Sequence, residues 1–227
     1  MIQEKIREVR GKIDAACHRS GRDPAEVALV AVAKGQPAER VAEAVRAGIR
    51  DIGENYAQEM MGHVGTLLAT PLQPRWHFIG HLQRNKVRQI IDSVALIHTV
   101  DSIELAREIE HRAAQQQKVQ PVLIEVKLAA ERSKTGLSPE QAEALVTSLA
   151  PLSHLELRGF MAIPPPSDDP RPFFRELREI RDAINRKNLY KTPLTELSIG
   201  MTSDFEVAIE EGATIVRVGT GIFGPGK

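Results

Sequence analysis

Apolar and polar positions change period repeatedly along this chain. Ile2, Ile6, Val9, Ile13 and Ala16 recur at helical spacing, so residues 2–19 read as an amphipathic helix stopped by Gly21 and Pro24. Then comes Val27-Ala28-Leu29-Val30-Ala31-Val32-Ala33-Lys34, a continuous apolar run closed by a lysine and Gly35. Such a run is a strand covered on both faces, as parallel sheets require. The alternation then continues. Strands are predicted over 27–33, 51–53, 75–80, 95–99, 121–127, 155–163, 194–199 and 214–218. Helices are predicted over 38–47, 56–68, 84–91, 103–117, 139–149, 173–189 and 204–210. Asp101 or Ser102 before Ile103, and Ser138-Pro139 before Glu140, supply start signals. About eight strand–helix repeats imply parallel strands with right-handed crossovers, and that number closes into a barrel. The expected fold is α/β, a single (β/α)8 TIM-type barrel with an extra N-terminal helix, one domain over 1–227. An open doubly wound sheet is the alternative. No Gly-, Ser- or Pro-rich linker marks a boundary, and the 164–170 stretch reads as a stiff loop after a strand.

Charge and composition narrow the partners. Lys plus Arg and Asp plus Glu number 30 each. A non-specific nucleic-acid binder carries a basic excess, so that class is excluded. No apolar stretch is long enough to span a membrane, and Met1-Ile2-Gln3-Glu4-Lys5 does not open a signal peptide. A cytoplasmic protein is expected. Cys17 is the sole cysteine, which rules out an intrachain disulfide and a cysteine-rich metal site; it falls on the first helix's apolar stripe and reads as core. His63, His98, His111 and His154 show no metal-ligand spacing, so no metal is expected.

In a barrel the chemistry sits where the strands end. Those ends carry Lys34, Glu54-Asn55-Tyr56, Gly80-His81-Leu82-Gln83, Asp101, Lys134-Thr135-Gly136, Met161, the 198–203 loop and the 217–221 loop. A partly desolvated Lys34 could attack a carbonyl as the neutral amine; the plainer reading is a lysine snorkelling into solvent. The last two loops place glycine beside Ser or Thr, where barrels often bind phosphate. Ser198, Thr202, Gly219, Thr220 and Gly221 are the candidates, though each loop could be a turn with a cap, Ser203 capping 204–210. A lysine and a phosphate cradle at one mouth suit a phosphorylated aldehyde, and pyridoxal 5′-phosphate (PLP) fits. Arg217 is the candidate for the pyridine nitrogen, with the phosphate or an ion pair as alternatives. The Arg- and Glu-rich 171–187 helix reads as a solvated face, and Gln83-Arg84-Asn85-Lys86 as surface charge or an anion-steering patch.

An ordered set of segments resembles the pyridoxal phosphate homeostasis proteins, single-domain relatives of the alanine racemase N-terminal barrel. They are Val32-Ala33-Lys34, Ile52-Gly53-Glu54-Asn55-Tyr56-Ala57-Gln58-Glu59, Trp76-His77-Phe78-Ile79-Gly80, Leu82-Gln83-Arg84-Asn85-Lys86, Ser133-Lys134-Thr135-Gly136, Arg158-Gly159-Phe160-Met161-Ala162-Ile163, Leu197-Ser198-Ile199-Gly200-Met201-Thr202-Ser203-Asp204 and Val216-Arg217-Val218-Gly219-Thr220-Gly221-Ile222-Phe223-Gly224. The resemblance implies that Lys34 carries PLP as an aldimine. It implies that Ser198, the backbone of Gly200, Met201 and Thr202, Gly219 and Thr220 hold the phosphate. Arg217 would lie near the ring or phosphate, and Asn55 close to the ring. The chain departs from the family's Ser-Met-Gly-Met-Ser with Ile199 and Thr202, which keep apolar character and hydroxyl, and has Lys127 where Asn is common.

The same resemblance separates carrier from enzyme. Racemases of this fold have a second, β-rich domain and take an opposite-face tyrosine from a partner subunit; this chain runs to Lys227, just past the last barrel loop. Two-base racemisation needs a group on each face of the substrate carbon. Tyr56 reads as structural, and His81 is the remaining candidate beside a plain hydrogen-bonding or capping role. An arginine at the ring nitrogen also weakens the ring as an electron sink. The expectation is a monomeric protein, not an enzyme, that holds PLP and delivers it to PLP-requiring client enzymes. A low-activity PLP-dependent amino-acid racemase and a Schiff-base aldolase are the alternatives.

Overall fold

The computed structural model describes residues 1–68, 70–128 and 136–224. Helix α1 (Ile2–Ser20) comes first, followed by β1 (Ala28–Val32), α2 (Ala38–Arg46), β2 (Asp51–Glu54), α3 (Ala57–Leu68) and β3 (Arg75–Phe78). After these come α4 (Val87–Ile90), β4 (Val94–Val100), α5 (Ile103–Gln115), β5 (Gln120–Glu125), α6 (Pro139–Leu149) and β6 (Leu155–Met161). The rest is α7 (Arg171–Arg186), β7 (Glu196–Ser198), α8 (Phe205–Glu210), β8 (Ile215–Val218) and α9 (Thr220–Phe223). The strands pair in sequence order, all parallel, and β1–β8 pairing closes the barrel, with Val30 opposite Arg217. This is a (β/α)8 TIM barrel, as the alternating pattern requires; the open sheet is ruled out.

Strand alternation divides the side chains into two sets. Outward residues such as Ala31, Ile52, Phe78, Ile97, Leu197 and Val216 join the helices in the main core. Inward residues form a small second cluster of Val30, Leu96, Leu123, Met161 and Ile215. Beside that cluster the barrel interior is polar, because Asp51, His77, His98, Ser198 and Arg217 are all buried.

Several boundaries differ from the expected ones for local reasons. The predicted third strand runs to 80, but the ladder stops at Phe78. Ile79 N–H still reaches Glu54 O, while the Gly80 carbonyl turns to accept from Thr99 Oγ1 at 2.6 Å. A Cβ on Gly80 would lie 2.2 Å from Asn55 O, so glycine lets the third strand's end close on the second's. The predicted helix over 84–91 is a 3-10 turn, Arg84–Lys86, followed by α4. Helix α7 starts earlier than expected, with Pro172 in its first turn where the missing N–H costs nothing. Ser102 and Ser138 cap their helices as expected, Ser138 with a full capping box to Gln141. Ser203 does not cap α8: Asp204 holds the cap position, and its Oδ1 accepts from Met201 N–H at 2.6 Å.

Helix α1 buries the predicted stripe, Cys17 included, and ends on Gly21 at φ 68°. It packs on α8 and α9, the elements flanking the last strand. Arg19 pairs with Glu206 and Glu210, and Arg22 donates to the carbonyls of Ile209 and Ala213.

Candidate functional site

The carboxyl ends of β1, β2, β7 and β8 surround a cavity of about 420 Å³. Lys34 and Asn55 line one side, following β1 and β2. Met201, Thr202 and Ser203 enter from the loop after β7; Arg217, Gly219 and Thr220 enter from β8 and its loop. Val32, Ile79 and Ile163 complete an apolar wall. Adjacency follows from register: Val32 lies opposite Gly53 and Ala31 opposite Val218, so Lys34 emerges between the second and eighth strands.

Lys34 is exposed at the rim, where the chain turns through Gly35 at φ 67°. The turn is tethered from below. Gly35 N–H donates to Glu59 Oε2 at 2.9 Å, and His63 Nε2 donates to Gln36 O at 3.0 Å. Since a carbonyl only accepts, Nε2 carries a proton, and His63 Nδ1 shares another with Glu54 Oε1 at 2.8 Å. Burial raises the Glu54 carboxyl's pKa, and the bond to Glu54 raises that of His63. Glu54 Oε2 is buried without a partner.

Arg217 is 4 % exposed at the cavity floor. Its Nη1 donates to Ser198 O and Ser198 Oγ, both at 2.6 Å, and Nη2 donates to Ala162 O at 3.0 Å. An arginine has five N–H donors, which leaves Nε–H and one Nη2–H over. Burial lowers its pKa to about 10, with Glu125 and Asp204 opposing, so the guanidinium stays cationic at neutral pH.

Seven of the nine expected residues meet at this cavity: Lys34, Asn55, Met201, Thr202, Arg217, Gly219 and Thr220. Ser198 and Gly200 do not line it. Ser198 faces the barrel interior, with its hydroxyl on His98 and Arg217. Gly200 turns the loop at φ 91°, where a Cβ would meet Ala208 Cβ at 2.6 Å. Met201 N–H is taken by Asp204, leaving Thr202, Ser203 and Thr220 as the hydroxyls at the cavity. Ser203 escaped notice because a serine before a helix reads as a cap. Ser133, Lys134 and Thr135 lie outside the described residues. His81 and Tyr56 line an adjoining depression, His81 Nδ1 being 3.7 Å from Asp101 Oδ2 and Tyr56 61 % exposed. The Tyr190 hydroxyl is engaged by the Leu157 N–H and Leu155 carbonyl.

The larger omission is inside the barrel. His77 Nε2 lies 3.0 Å from Asp51 Oδ1, His77 Nδ1 2.9 Å from His98 Nε2, and His98 Nδ1 2.9 Å from Ser198 Oγ. Arg75 grips Asp51 from outside with two bonds of 2.7 and 2.8 Å. Burial works to raise the Asp51 carboxyl's pKa, but bonds from His77 and Arg75 outweigh it and hold the group low. Burial pushes His98 well below the ordinary histidine value, with the Arg217 charge adding to the effect. His98 lies two residues beyond the inward Leu96 on its strand, a parity that only the barrel's register reveals. Among the described residues no cluster of His, Cys, Asp or Glu could hold a metal, and no helix is long and apolar enough to cross a membrane.

Residues 23–226 match the family model for the alanine racemase N-terminal domain. The chain is 43 % identical to the pyridoxal phosphate homeostasis protein of Aquifex aeolicus, covering 99 % of this chain and 98 % of that one. The Escherichia coli K12 protein of the same name is 38 % identical, over 98 % and 96 %. PipY of Synechococcus elongatus, solved with PLP bound, superposes with a TM-score of 0.87 at 32 % identity, over 99 % of this chain and all (100 %) of that one. An alanine racemase from Clostridium difficile shares the fold at 15 % identity and TM-score 0.73, with this chain matching 56 % of its length.

Proposed function

The chain belongs to the pyridoxal phosphate homeostasis protein family, on the alanine racemase N-terminal barrel, and from that premise we propose that it binds PLP at the barrel mouth. One observation carries the reading: a single cavity brings together a primary amine, three hydroxyls and a buried arginine with donors to spare. That donor set suits an aldehyde, a phosphate and a pyridine nitrogen. When bound, PLP supplies an aldehyde that condenses with amines and a ring that can take up electron density.

Lys34 would supply the primary amine to which the aldehyde condenses, with loss of water. Thr202, Ser203 and Thr220 donate to the phosphate, Gly219 giving it close approach to backbone. Asn55 lies beside the ring, and Arg217 turns its remaining donors to the ring nitrogen. Ser198 serves through Arg217, and Gly200 by shaping the loop. A cationic arginine at that nitrogen keeps it unprotonated, which limits turnover of amino acids. Tyr56 and His81, which line the adjoining depression, and Tyr190, whose hydroxyl is engaged with the backbone of β6, give little support to a second acid/base. The protein therefore holds and supplies PLP instead of consuming amino acids.

The test is an absorption spectrum after incubation with PLP, then borohydride reduction and peptide mapping. The expected result is a visible imine band and label on Lys34, both lost in Lys34→Ala, with no change in alanine chirality over hours. Label on another lysine, with Lys34 unmodified, would overturn the reading.

A further inference from the structure

The polar residues inside the barrel have a direction that the chemistry of their ends fixes. Arginine only donates, so Ser198 Oγ accepts from Arg217 Nη1. Asp51 is held as a carboxylate and only accepts, so His77 Nε2 carries a proton. The Ser198 hydrogen finds its acceptor at His98 Nδ1, so a neutral His98 carries its proton on Nε2 and donates to a bare His77 Nδ1. Every contact is satisfied with both rings neutral. Reversal would need an imidazolium at His77 and would leave Ser198 accepting twice, its own hydrogen without any of these partners. Burial also resists any charge on His98.

We propose that Asp51, His77 and His98 are positioning residues for Arg217. They form a one-way hydrogen-bond chain through the barrel that orients the Ser198 hydroxyl and so fixes the guanidinium at the cavity floor. The charged groups around the chain are consistent with this. Arg75 secures the Asp51 end from outside, and Glu125 on β5 and Asp204 before α8 act on the Arg217 end. With His98 bonded in this way, the Oγ lone pairs face Arg217. Without it the hydroxyl rotates, and one of three bonds holding the guanidinium loses its preset partner.

The functional half rests on Arg217 facing bound PLP; the directional half does not. Histidine side-chain 15N NMR on the cofactor-free full chain tests direction first. Both His77 and His98 should be neutral Nε2–H tautomers near neutral pH; an Nδ1–H tautomer or an imidazolium at either ring would overturn the chain. Variants test the consequence. His98→Gln offers an acceptor to Ser198 and a donor to His77, and should retain the PLP absorption band and affinity. His98→Leu offers neither, and should shift the band and weaken PLP binding about five- to tenfold. Should the leucine variant not fold, His77→Phe removes the acceptor of His98 Nε2–H and cuts the chain one link earlier, leaving the Ser198–Arg217 bond in place. Borohydride label on Lys34 with an unmoved band and affinity in the cut variants would sink this proposal alone; label lost from Lys34 in the wild type would sink the PLP reading instead.

Discussion

Thr202 shows how the cavity divides labour among single residues. Its hydroxyl lines the cavity and accepts only a long bond, 3.3 Å, from Gly221 N–H, so it remains able to donate. A hydrogen bond to a charged group contributes about 1.5–3 kcal/mol. Thr202→Val, which keeps shape and removes the donor, should raise the Kd for PLP by about tenfold or more. Titration of the absorption band measures this, and an unchanged Kd would exclude Thr202 from the phosphate. Lys34, Thr202, Arg217, Gly219 and Thr220 were legible because strand ends are visible as the last apolar positions before glycine or polar residues. The inward course of Ser198 was not. Whether a strand's final side chain faces the mouth or the barrel axis depends on register, and the apolar runs on both faces conceal which parity points in. His77 and His98 were hidden for the same reason.

Elements hold the site through a few tight approaches. The loop after β7 passes so close to α8 that position 200 has no room for a Cβ, and its backbone has the positive φ that side chains avoid. Gly200→Ala should therefore cost about 2–4 kcal/mol and distort Thr202 with it. Chemical denaturation measures the loss, and a change below about 0.5 kcal/mol would show that the loop accommodates the methyl group. Ser138→Ala, at a side chain that does not line the cavity, removes a capping box and should cost about 1 kcal/mol with PLP binding unchanged. Element order and type were readable from periodicity because this fold repeats one unit. Ends were less so, because residues such as Ile79 keep a ladder bond after the strand proper has stopped.

At the scale of the whole molecule, buried titratable groups set a stability optimum. The depressed pKa of His98 means that an unfolded chain takes up a proton the folded one refuses. That stability is complete above about pH 6.5 and is lost as pH falls, by at most about 1.4 kcal/mol per pH unit. Asp51, held low, adds a second loss below about pH 4. His63 acts in the opposite sense: its raised pKa stabilises fully below about pH 6.5, and that contribution fades as pH rises through the folded value. Denaturation midpoints should fall as pH drops from about 6.5 to 5, and His98→Gln should flatten that slope; an equal slope in both would assign it elsewhere. The clasp of α1 on α8 has a consequence of another kind. Arg19 and Glu210 are 191 residues apart in the chain. On a ribosome adding about 5–20 residues per second, the first helix must wait on the order of 10–40 s for the segment it covers. Its Ile2, Ile6, Val9 and Ile13 stripe lacks its partner until then, and the cavity is complete only once the last strand and its loop supply Arg217, Gly219 and Thr220.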